Sequence, residues 1–154
     1  MTRIILLMIF LFSMSNATVP GGGYGGFGVG AMIGEPTGLN FKLWRLDDKA
    51  YDAGLAWSLS GENSLHLHAD YLIHDFSFFS PYSGNFPFYY GIGFRLKFQS
   101  KDDNKLGIRI PFGATYHFRK TPIDIFFETV PIVNIIPDTE LDFNIVFGAR
   151  IFFK

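Results

Sequence analysis

The chain has 154 residues, of which 48% are hydrophobic and 18% charged, with 19 Phe and a formal net charge of −1. That length suits one domain, and the near-neutral balance without a basic block argues against a nucleic-acid partner. Cysteine is absent, which excludes disulfides, thiolate metal sites and a lipid-modified N-terminal Cys.

The elements begin with a leader. MTR is a short positive region, Ile4 to Phe12 a compact apolar one, and Ser15 and Ala17 are small residues placed for cleavage after Ala17. Residues 1–17 therefore read as a secretory signal peptide, leaving 18–154 as a single mature domain. No later segment approaches the roughly 18 apolar residues of a transmembrane helix.

The mature chain is dominated by period-2 alternation, the mark of strands with two unlike faces. Tyr24 to Ile33 sets Phe27, Val29, Ala31 and Ile33 against glycines and Met32. Leu39, Phe41 and Leu43 oppose Asn40 and Lys42, and the pattern blurs at Trp44. Tyr51 to Ser60 sets Tyr51, Leu55, Trp57 and Leu59 against Asp52, Gly54 and Ser58. In HLHADYLIHDF, with its preceding Leu65, the residues Leu65, Leu67, Tyr71 and Ile73 oppose His66, His68, Asp70 and His74. Phe88 to Gln99 alternates Phe, Tyr, Ile and Leu with Gly91, Gly93, Arg95 and Lys97. Leu106 to Arg119 opposes Ile108, Phe112 and Tyr116 to Arg109, Gly113 and His117. Ile123 to Ile135 sets Ile125, Phe127 and Thr129 against Asp124, Phe126 and Glu128, with Pro131 marking a bulge or strand end. Leu141 to Phe153 closes the series, its Phe and Ile residues opposing Asp142, Asn144, Gly148 and Arg150. Turn residues separate these segments, as in GEPTG, DDKA, GEN, SFFSPYSGNFP, QSKDDNK and PDTE. In GEPTG, Pro36 sets φ and Gly38 permits a positive one.

Eight such strands predict an all-β, antiparallel, up-and-down barrel, and size decides which face is inside. An eight-stranded barrel has an interior just wide enough to be filled by side chains. The Phe, Leu, Ile, Tyr and Trp face is too bulky for that space, whereas Gly, Ser, Ala and a few charges fit. The bulky face is therefore expected outside, in lipid, giving a transmembrane β-barrel rather than a soluble lipocalin-like carrier. With the N-terminus on the periplasmic side, Tyr24, Trp44, Tyr51, Tyr71, Tyr90 and Tyr116 gather toward the periplasmic ends as an interfacial girdle. Trp57 does not fit it, and SFFSPYSGNFP is long for a periplasmic turn.

The segments GEPTGLNFKLW, GLAWS, LHLHADYLIHDF, FYYGIGFRLKF, LGIRIPFGATYHF, PIDIFFETVPIVNIIPDTELDFN and GARIFF cover most of the mature chain. Together they resemble a family of small uncharacterised outer-membrane β-barrels, first grouped around a spirochaete protein. The resemblance implies an OmpA/OmpX-like eight-stranded barrel in the outer membrane of a Gram-negative bacterium, with no assigned activity. Gly148, Ile151 and Phe153 also resemble the signal read by the outer-membrane assembly machinery. Val146 stands where that signal has a polar residue, and Lys154 follows the aromatic that normally ends it.

Three chemical readings compete for the polar residues. His66 and His68, two apart on a strand, lie roughly 6.5–7 Å apart on one face and so suggest metal, but zinc takes three or four ligands. Ser58 could stand across the GEN turn from His66 with Asp70 or Asp124 orienting the imidazole, as in a lipid-modifying enzyme, but both would point into a packed lumen. GGGYGGFGVG lacks the helix that must come after a phosphate loop. The stronger alternative is a polar lumen network of His66, His68, Asp70, Arg95, Arg109, Asp124, Glu128 and Arg150. Asp52 and Asp142 would join it as acids, and Lys42 and Lys97 as bases, because unpaired buried charge is expensive. This predicts a non-enzymatic monomer without cofactor, surrounded by outer-membrane lipid, in a structural or surface-interaction role. A narrow, porin-like channel for ions or small solutes is the runner-up.

Overall fold

The computed structural model describes residues 26–58, 63–79, 84–100 and 104–153. The expected signal peptide, Tyr24, Lys154 and the middle residues of three turns lie outside the described residues.

The strands are β1 (Phe27–Glu35), β2 (Thr37–Trp44), β3 (Lys49–Ser58), β4 (Ser64–Asp75), β5 (Gly84–Asn85), β6 (Phe88–Gln99), β7 (Lys105–Arg109), β8 (Phe112–Phe118), β9 (Ile123–Ile136) and β10 (Glu140–Phe153). Neighbours pair antiparallel in chain order, and β10 pairs with both β9 and β1. Both β7 and β8 lie between β6 and β9, so they are two halves of one wall strand. The result is a ring of eight strands.

Two prolines depart from the sequence expectation in opposite ways. The strand expected over Leu106–Arg119 breaks at Ile110 and Pro111, where Pro111 has no N–H to give the ladder. Its carbonyl still accepts from Gly91 N at 3.0 Å, so the wall stays closed. Pro131, by contrast, does not end β9. Its carbonyl accepts from Ile110 N at 3.1 Å, and only the proline's own donor is lost.

The β1–β2 turn corrects a second expectation. Gly34, with φ 134°, supplies the positive φ. Gly38 serves instead for close approach, since a Cβ there would collide with the Leu55 carbonyl oxygen.

The barrel has two unlike ends. At the terminal end lie the start of β1, the end of β10, the connections 45–48 and 119–122, and residues 76–79 and 84–87. At the distal end lie Pro36, the end of β3 and the start of β4, the end of β6 and the start of β7, and the turn 137–139. The described residues of the long connection SFFSPYSGNFP, 77–79 and 84–87, belong to the terminal end, where β5 extends the sheet by pairing with Phe118 and His117 of β8. Phe78 and Phe86 meet Phe88 edge-on there, at centroid distances of 5.5 and 5.6 Å.

The wall's outer face is apolar throughout. Phe94, Ile92, Phe112, Phe127, Phe143 and Phe147 are each about half exposed, as are Tyr51, Trp57 and Tyr90. The inner face holds the charges: Lys42, Asp52, Asp70, Arg95, Arg109, Asp124, Glu128 and Arg150 are all buried. Trp44 is inside as well, contrary to its expected place in a girdle. It is in phase with Lys42 and Asn40, not with Leu43. The interior is also less uniformly small and polar than expected. Met32, Ala56, Phe126 and Val146 form one buried cluster, and Trp44, Ala50 and Phe152 another.

Candidate functional site: the charged interior

The interior is built in three levels. At the terminal end, Phe76 packs on the Trp44, Ala50 and Phe152 cluster. The His74 ring lies 4.4 Å from the Trp44 ring and the His117 ring 5.6 Å from it. Lys42 Nζ stands 4.5 Å from the Trp44 ring centre and 2.7 Å from His74 Nε2. His74 Nδ1 is 3.1 Å from the Asp48 carbonyl oxygen. A carbonyl only accepts, so Nδ1 carries the hydrogen and Nε2 accepts from the Lys42 amine. His74, expected only near a strand end, is thus the partner of the lysine.

The middle level is a double fork of ion pairs. Arg150 Nε and Nη2 donate to Asp124 at 2.9 and 3.0 Å. Its Nη1 donates to Asp52 and Asn40, each at 2.9 Å. The guanidinium lies on the Phe126 ring, 4.1 Å from its centre. Arg109 Nε donates to both oxygens of Asp70 at 3.0 and 3.1 Å, and its Nη2 to Glu128 at 3.1 Å. Tyr89 Oη donates to the other Glu128 oxygen at 2.8 Å. Such fork-on-carboxylate geometry is what offsets the desolvation of buried charge. Two glycines make room: a Cβ on Gly54 would collide with the His68 ring at Cε1, and one on Gly93 with Asp70 Oδ1.

The distal level is polar but less tightly paired. Arg95 Nη2 donates to Asn134 at 2.8 Å and to Asp142 at 2.6 Å. Ser64 Oγ is 2.9 Å from His66 Nε2, and Ser58 Oγ donates to Glu35 at 2.6 Å.

All eight residues singled out from sequence for the lumen are inside and buried. They fall into four sets: Arg150 with Asp124 and Asp52, the latter 3.6 Å from His68; Arg109 with Asp70 and Glu128; Arg95 with Asp142; and His66 with Ser64. Lys42 turns to a histidine rather than to a carboxylate. Tyr89, His117, Asn40, Asn134 and Asn144 are further interior polar residues that alternation places on the same face but charge alone does not single out.

The proposed catalytic pair is not assembled. The register sets Ser58 opposite Ser64 and His66 opposite Ala56, so the hydroxyl beside His66 belongs to Ser64, two residues along the same strand. Neither Asp70 nor Asp124 orients the His66 ring. For metal, the atoms brought together among the described residues are those of Asp52, His68 and Asp70, within 4.8 Å of one another. His66 is not among them. Their carboxylate oxygens already receive Arg150 and Arg109, so a cation entering there would meet two guanidiniums. On the outer wall, a cleft of about 410 Å³ lies against Phe78, Phe88, Tyr90, Phe112, Ala114 and Phe127.

The model of the family described as "Protein of unknown function (DUF3996)" matches residues 22–153. The chain belongs to that family. No curated protein matches this DUF3996 member. Among solved structures it is similar to the N-terminal β-barrel domain of Pseudomonas aeruginosa OprF, with a TM-score of 0.61. That likeness covers 82% of this chain and 96% of the OprF domain at 11% sequence identity. At such identity the likeness bears on the fold alone, and the fold is the antiparallel eight-strand ring described above.

Proposed function

We propose that this DUF3996 member is an integral outer-membrane β-barrel whose filled interior does not conduct, and whose role is structural or interactive rather than enzymatic. One observation carries this reading: the wall turns its bulky apolar side chains outward and its ionised ones inward. In water, an exterior of half-exposed Phe and Ile around the whole ring would promote association. In a bilayer it is the expected surface of a barrel. The likeness to the OprF domain supports the placement.

In this reading the terminal end faces the periplasm and the short distal turns face outward. Tyr51 and Tyr71, with ring centroids 5.6 Å apart, and Tyr90 then flank the apolar band, while Phe78 and Phe86 add anchoring rings at the long connection. The outer cleft takes part of a lipid acyl chain. Assembly machinery reads β10 through Gly148, Ile151 and Phe153, and the finished barrel is a monomer because both of its terminal strands are already paired with each other.

Cell fractionation with heat-modifiable gel mobility tests the placement. A membrane-associated band that migrates differently folded and boiled is expected, and a soluble, unshifted protein would overturn it. Planar-bilayer recording tests closure: no conductance steps are expected, and reproducible steps would establish the channel instead.

A further inference from the structure

We propose that the cleft on the outer wall is a lipid site that selects by head group. Its occupant is a phospholipid whose head carries an ammonium, which meets Asp75 and the rings of Phe78, Phe88 and Tyr90. The inference rests on the bilayer placement proposed above and adds to it which lipid the cleft retains.

The register builds the slot. Ala114 on β8 is paired with Phe88 on β6 and with Phe127 on β9, and Phe112 lies two residues along on the same outward face. One small side chain among three rings leaves a depression of about 410 Å³, room for several methylenes of an acyl chain. Asp75, at the end of β4, lines the same cleft and pairs in register with Phe88. Carboxylate and ring therefore stand side by side, with about 5 Å between their Cβ atoms. Tyr90 follows Phe88 on the outward face, and Phe78 comes back from the long connection to meet Phe88 edge-on at 5.5 Å.

The carboxylate is unanswered by the chain. Asp75 shares the outward phase of Leu67, Tyr71 and Ile73, which the placement turns to lipid. Ser77 donates to its Oδ1 from the backbone N–H at 2.8 Å and from the hydroxyl. Its Oδ2 receives no hydrogen bond among the described residues. Lys49, on the neighbouring strand opposite Ile73, is taken by Asp48 at 3.5 Å. Arg45, Arg119 and Lys120 belong to connections at the same end, and among the described residues none of them pairs with Asp75. Asp47 and Asp48, the other acids there, lie on the β2–β3 connection. An ammonium supplies the counter-charge that Asp75 lacks, and a cation beside aromatic faces gains further from the ring quadrupole. The rings are open to it: Phe78, Phe88 and Tyr90 are 71%, 45% and 51% exposed. An anionic head would meet the carboxylate with like charge. Arg119 and Lys120, exposed beyond Phe118, are counter-charges for the phosphate of a zwitterionic one.

The test is native mass spectrometry of the full chain, folded in detergent micelles, with phosphatidylcholine, phosphatidylethanolamine and phosphatidylglycerol of identical acyl chains. An ammonium-headed lipid should be retained about tenfold over phosphatidylglycerol, the worth of a charge contact and a cation–ring contact at a half-exposed site. The choline and ethanolamine arms tell a quaternary cation from a primary one. Asp75→Asn keeps the acceptor for Ser77 and should abolish the preference. Ala114→Leu should fill the slot and weaken retention of all three lipids. Asp138→Asn, exposed at the distal end, should change nothing. The gel-mobility shift verifies that each variant is folded. Equal retention of the three lipids by a heat-modifiable, membrane-associated chain, or a preference that Asp75→Asn leaves intact, would overturn the inference and leave the placement standing. A soluble chain would overturn both.

Discussion

The two ends of this barrel are closed by different physics. The terminal end is sealed by packing, with Trp44, Phe76, Phe152 and the rings of His74 and His117 filling the cross-section. The distal end is spanned by hydrogen bonds, with Arg95 reaching across to Asp142 and Asn134. Between them, Arg150 and Arg109 tie six of the wall segments together through four carboxylates and Asn40. A packed end rests on apolar and ring contacts, which depend on shape more than on direction. A hydrogen-bonded end depends instead on direction, and leaves Arg95 Nε, Asn144 Nδ2 and His66 Nδ1 buried without a partner among the described residues. The same period-2 wall supports both, because only the inward residues differ along its length.

Substitutions along the lumen should separate these modes. The largest effect is expected for Arg150→Met, which keeps the size but leaves Asp52 and Asp124 buried without their counter-charge. A loss of about 4 kcal/mol, read from urea unfolding in micelles or as loss of the folded gel band, is expected. A loss below about 1 kcal/mol would show that water or Lys42 substitutes for the guanidinium. Next comes Trp44→Ala, which removes the centre of the packed seal. It should cost about 3 kcal/mol and bring conductance steps that the parent lacks. Unchanged closure would shift the seal to the middle level. Phe94→Arg places a charge on the outer face at mid-strand and should cost about 2 kcal/mol in a bilayer. Indifference there would argue that this face does not meet lipid. Smallest is Ser64→Ala at the distal mouth, about 1 kcal/mol for one neutral hydrogen bond, with closure intact.

Much of this was legible in the alternation. Leu65 to His74 announces which side is in, and eight such segments suffice to expect a ring whose bulky face lies outside. What the pattern could not supply was phase at strand ends and contact across the lumen. Trp44 looks interfacial by composition, yet two steps from Lys42 it must point inward. Ser58 and His66 look like partners until the register, which depends on the length of the turn between them, pairs each with another residue. Pro131 carries the same warning as Pro111, but only Pro111 interrupts a strand. Arg150 meets Asn40 and Asp52, residues separated from it by 110 and 98 positions, and no local pattern encodes such pairings.

That separation has a consequence for how the molecule closes. Arg150 lies on β10, which completes the ring by joining β9 and β1. A slip of one residue in that final pairing would turn the guanidinium onto the apolar outer face and Ile151 into the lumen. Asp52 and Asp124 would then be stranded together. The ion-pair level is therefore expected to make the closing register unambiguous, because one-residue slips of the last strand forfeit it.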